Sequence, residues 1–237
     1  METKSVNLAS IQKTAISVLT SPSAFFNEMP KAGGVIEPLI FMVVMGVIGG
    51  LIQTIFSLVG LHIASGMAMG VASIILLPIL IAIAGFIGAS IVFVIWKLMG
   101  SQESYETAFR CMAYISVLTP ITSVLGLIPY LGSLISIALM TYFIVIASIE
   151  VHKIPSKKAW LVFGIIGAIL IIMNISAQYS ARKFSKEAVK IQKQMEETSK
   201  TMQKQAEQIQ KQVEEIQKQA EEARKAAEEI QKELEKK

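Results

Sequence analysis

The chain is predicted to be all-α: a polytopic membrane bundle of five transmembrane helices followed by a long charged, coiled-coil-like helix. Three observations predict this. Five uncharged apolar stretches fill most of residues 35–177, residues 182–237 are densely charged, and the charged part carries a heptad pattern. The stretches are Pro38–Val59, Val71–Ile95, Cys111–Ile128, Leu131–Ile149 and Ala159–Ala177, with no Lys, Arg, Asp or Glu inside any of them. Each is close to the roughly 20 residues that cross a ~30 Å hydrocarbon core as a helix.

Charge divides the chain the same way. Eight basic and six acidic residues precede Arg182, and fourteen and twelve lie from there on. Both halves are close to balance, so the net charge of +4 gives no polyanion-binding surface and no nucleic acid is expected as a partner. Three segments follow: 1–34, amphipathic or interfacial; 35–178, the spans; and 179–237, the helical tail. The single cysteine, Cys111, opens the third stretch and reads as a buried structural thiol. The first residues lack an apolar core with a small-residue cleavage site, so no removable signal peptide is expected.

Within residues 1–34, Leu8, Ile11, Ala15, Val18 and Leu19 fall at helical spacing. Ser21 and Pro22 read as an N-cap and first helical position, opening a short helix that carries Phe25, Phe26 and Met29. Such a segment either lies at the membrane interface or caps the mouth of the bundle.

Loop charges set the orientation. Lys4, Lys13 and Lys31 precede span one, Lys97 and Arg110 separate spans two and three, and Lys153, Lys157 and Lys158 separate spans four and five. The alternate loops, Gly60–Gly70 and Pro129–Tyr130, hold none. The positive-inside rule then predicts a cytoplasmic N-terminus in a multi-pass protein, of the cell membrane if prokaryotic, with the tail on the opposite side. Arg182, Lys183, Lys186 and Lys190 just beyond span five pull against that placement of the tail.

Inside the spans, small residues recur four apart: Gly46 and Gly50, Gly85 and Ala89, Gly164 and Ala168. Such pairs let helix backbones approach closely, for internal packing in the first instance or for a dimer. Pro78 and Pro120 are expected to kink spans two and three. The polar groups inside the spans, such as Gln53, Thr54, Thr119, Thr122, Ser136 and Asn174, are neutral and suit interhelical hydrogen bonds. Glu37, Arg110, Glu150 and His152 fall at span ends, near water.

The residue inventory argues against catalysis. With no aspartate and only His62 and His152, the chain has no aspartyl pair, no H-E-x-x-H zinc site and no metal set. Gly132-Ser133 is not in a serine-protease motif, and His152 lies at the far end of the helix that Ser133 begins. No Walker loop or G-x-G-x-x-G occurs, so neither enzyme nor cofactor is expected.

A set of ordered features carries a family resemblance. Pro22 with Phe25-Phe26 precedes span one, and Gly100, Tyr105, Phe109-Arg110, Ala113-Tyr114 and Pro120 lead into span three. Ile128-Pro129-Tyr130-Leu131-Gly132 forms a tight turn, and Glu150-Val151-His152 leads to Lys158-Ala159. In these residues the chain resembles the YIP family of Ypt/Rab-interacting membrane proteins, in its prokaryotic-type form, over about residues 15–178. The resemblance implies five spans, a cytoplasmic N-terminus and membrane complexes of a trafficking kind. The family's Asp-Leu-x-Gly-Pro signature cannot occur in a chain without aspartate, which argues against small-GTPase binding.

In the tail, Ala206, Ile209, Val213, Ile216, Ala220, Ala223, Ala227, Ile230 and Leu234 alternate three and four apart, an a/d stripe. Phe184, Ala188, Ile191, Met195, Thr198 and Met202 continue it upstream across a stutter. Glu207, Glu214, Glu221 and Glu228 precede Lys211, Lys218, Lys225 and Lys232 by four, the favourable helical order. Flanking e and g positions are mostly glutamine, and the alanines make the seam thin. The stripe is read as a surface for self-association into a homo-oligomer or for a partner helix. The expected function is a non-enzymatic membrane organiser or adaptor with a helical stalk, the alternative a small-solute channel or transporter.

Overall fold

The structure, a computed structural model, describes residues 8–59 and 66–234; His62 lies outside the described residues. Contacts divide the chain into two units, Met1–Ala177 and Gln178–Lys237.

The first unit opens with α1 (Leu8–Thr20), whose Ile11 and Val18 are buried while Ile16 and Leu19 are exposed. That amphipathic face rests on α2 (Pro22–Glu28) and α5, described below. Pro22 occupies the first turn of α2, where its missing N–H costs nothing. Ser21 sits at the cap position, yet its side chain makes no cap bond, contrary to the expectation from sequence. Phe26 is fully buried, and Phe25 meets Tyr114 edge to face at 5.1 Å. Through these side chains α1 and α2 pack onto α5 and α7.

α3 (Ile36–Leu58) and α4 (Gly66–Leu98) form an antiparallel pair with an extensive contact. α4 turns Ile75, Ile79, Ile83, Ile87 and Ile91 outward, each more than half exposed, an apolar surface suited to lipid rather than water. α5 (Tyr105–Ile115) begins at a true cap, Ser104 accepting the Thr107 N–H at 3.2 Å. α6 (Leu118–Leu125) follows after a 45° bend. α7 (Leu131–Glu150) and α8 (Ser156–Leu234) complete the order.

Among the described residues, four helices are long and apolar enough to cross a membrane: Ile36–Leu58, Ile74–Leu98, Leu131–Glu150 and the first part of α8. The count reaches five only if the bent pair α5–α6 is one span. The third stretch is therefore broken rather than merely kinked, and its helix starts at Tyr105 rather than Cys111. Pro120 supplies the reason. It has no N–H for the Ser116 carbonyl four residues back, and its ring crowds that carbonyl. The Thr119 N–H reaches the Ser116 carbonyl instead, at 2.8 Å, and Ser116 turns its hydroxyl onto Ala113 O. The α6–α7 turn is equally tight: Tyr130 adopts φ 61°, and any Cβ on Gly132 would collide with the Leu125 carbonyl. The second unit consists of α8 from Gln178 onward.

Candidate functional site

The loops that carry the basic residues meet at one end of the first unit, where they fasten the segment between α2 and α3. Gly33 and Gly34 hold positive φ (125° and 88°), which a side chain would oppose. The Gly34 N–H donates to Glu106 at 2.6 Å, and its carbonyl accepts from Arg110 at 2.8 Å. Lys31 pairs with Glu103 at 2.6 Å, and Thr107 donates to the Lys31 carbonyl at 3.0 Å. Lys153 reaches Asn27, and Lys158 reaches the Met99 carbonyl. Beneath them, His152 stacks on Trp96 with ring centroids 3.7 Å apart, and its Nδ1 lies 2.7 Å from the Ser101 hydroxyl.

Arg110 and His152 were expected near water. His152 lies just past the end of α7 and Arg110 lies mid-way along α5, and they are only 5% and 2% exposed, because α1, α2 and the glycine segment pack over that end. Burial, and then the charges of Lys31 and Lys97, push the His152 pKa down from 6.5 to about 3, so the ring is neutral at physiological pH. Arg110 Nε and His152 Nε2 are buried without a hydrogen-bond partner among the described residues. The arrangement is a latch of hydrogen bonds and one ion pair. No group of three His, Cys, Asp or Glu comes together among the described residues. Cys111 is fully buried, and Ser133 spends its hydroxyl on the Tyr130 carbonyl.

A cavity of about 330 Å³ lies at the α5–α6 bend, enclosed also by α3, α4 and α7. Its wall is mainly apolar, with Met42, Met112 and Met140 among its lining. Four hydroxyl residues interrupt it: Ser116, Thr119, Thr122 and Ser136. No charged side chain lines it.

The small residues singled out by spacing take different places. A Cβ on Gly46 would lie 2.8 Å from Pro78 Cα, so α3 and α4 touch backbone to backbone there. Gly50 is buried, and its carbonyl accepts from Thr54 at 2.9 Å. A Cβ on Gly85 would meet the Met42 thioether at 2.5 Å, and Ala89 is fully buried. Gly164 has open space around it, and Ala168 is exposed. Two contacts escaped the four-residue pattern. Gly49 sits against Thr119 and Ser123 of α6, and Gly167 against Thr141 of α7. Each stands alone, so no spacing rule marks it.

In the second unit, Ile191, Met195, Met202, Ile209, Val213 and Ile216 are all exposed, between 46% and 68%. Ala220 is exposed too, while the side chains of Ala223, Ala227, Ile230 and Leu234 lie outside the described residues. Glu196 and Lys200 form an i,i+4 ion pair at 2.8 Å.

A family model described as the Yip1 domain matches residues 16–177. No curated protein and no solved structure matches the chain.

Proposed function

The chain belongs to the Yip1-domain family, and from that premise we propose that it is a non-enzymatic membrane organiser whose tail joins copies of the chain. The observation that carries this reading is the exposed apolar stripe of the tail. Ile209, Val213 and Ile216 are 60%, 46% and 64% exposed, at a/d spacing. A helix in water gains by covering such a stripe, at roughly 25 cal/mol per Å² of apolar surface removed. A second copy supplies the same stripe in the same register. The glutamine-rich flanks set no charge pattern against self-pairing. Loop charges support a cytoplasmic N-terminus, with five spans placing the tail on the opposite side.

Cysteine scanning in native membranes tests the self-association. Under mild oxidation, Ile209→Cys, Val213→Cys and Ile216→Cys are expected to give disulfide dimers, while Gln208→Cys and Glu214→Cys give few. Equal yields at all five positions would contradict a helical seam. The cavity favours a second reading, passage of a small solute. Its apolar wall makes a poor aqueous path, and solute flux in proteoliposomes separates the two readings.

A further inference from the structure

We propose that the cavity at the α5–α6 bend is a binding site for a neutral, membrane-partitioned alcohol with a chain of about ten carbons. Size sets the first limit. A volume of about 330 Å³ falls at the small end of ligand pockets, which run about 300–1,000 Å³. It holds on the order of ten groups the size of a water molecule's ~30 Å³ share of the liquid. Met140, one of its lining residues, is 44% exposed, so the cavity can be reached from outside the helices.

Hydrogen-bond polarity sets the second limit. Ser116 donates its hydroxyl proton to Ala113 O at 2.5 Å, Thr122 to Thr119 O at 3.1 Å, and Ser136 to Gly132 O at 2.7 Å. Their donors are spent on their own helices, and their oxygen lone pairs remain as acceptors. Thr119 turns its methyl toward Gly49, and its hydroxyl has no partner among the described residues, so it can both donate and accept. The wall therefore asks for a group that donates and can also accept. An alcohol O–H does both, an ester accepts only, and an alkane does neither. A carboxylate would enter a site with no positive charge, at high desolvation cost.

The test uses the full chain in phosphatidylcholine nanodiscs and a diazirine-bearing 1-decanol. Labelling is expected in peptides of α5, α6 and α7, with 1-decanol competing at concentrations about tenfold lower than methyl decanoate or decane. Ser136→Leu fills the cavity and is expected to abolish labelling there. A Thr122→Val/Ser136→Ala double variant leaves the space and is expected to let the ester compete as well as the alcohol. This second variant decides the matter if Ser136→Leu fails to fold. Equal competition by alcohol and ester in the unaltered chain would overturn the proposal and leave a gap filled by bilayer chains. So would labelling confined to the outward face of α4.

Discussion

Trp96 and Ser148 are both fully buried, and the indole N–H donates to the serine hydroxyl at 2.7 Å. Removing that hydroxyl leaves a donor in the core with nothing to bond. Ser148→Ala is therefore expected to destabilise the protein by about 1–3 kcal/mol, read as a lower Tm in detergent. A Tm unchanged within error would mean that Trp96 finds another acceptor. His152 makes a prediction in pH. Its folded pKa of about 3 lies below the ordinary 6.5, so between these values the unfolded chain binds the extra proton. Its contribution is complete above pH 6.5 and is lost as pH falls toward 3. His152→Gln is expected to flatten the Tm-versus-pH slope between pH 6.5 and 5; an unchanged slope would assign it to the carboxylates. Sequence placed His152 at a helix end, as found, but α5 begins at Tyr105 and holds Arg110 mid-helix. Their burial was not legible, because it depends on which distant segment folds over that end.

At the scale of elements, glycines separate close contacts from open faces. Gly46→Ala would drive a Cβ into the backbone at Pro78 and the Ile81 side chain, both at 2.8 Å. It should cost about 1–3 kcal/mol. Gly164→Ala meets nothing within 4 Å and should be neutral or slightly stabilising, because alanine favours the helix. Thermal unfolding of the two variants side by side checks the pair, and a Gly164→Ala loss equal to that of Gly46→Ala would refute it. The four long helices were legible because length and apolarity alone decide them. The break after Ile115 was not. Pro120 signalled a kink, but the displaced Ser116 carbonyl is rescued by a short turn, which splits the stretch into two helices and opens the cavity beside it. The hydroxyls of that cavity were visible as neutral polar residues, and only their convergence required the fold.

On the scale of the whole molecule, the first unit combines a Yip1 domain with apolar helices that imply a lipid bilayer around it. The latch at its basic end consists of interactions that hold the segment between α2 and α3 in place. In the second unit the described residues are helical and leave the apolar positions of the stripe exposed. The native mass of the full chain in nanodiscs, set against a truncation ending at Lys183, tests the proposed assembly most directly. The account predicts an oligomer that becomes a monomer when the tail is removed. A full chain that is itself monomeric, or a truncation that stays oligomeric, would contradict it.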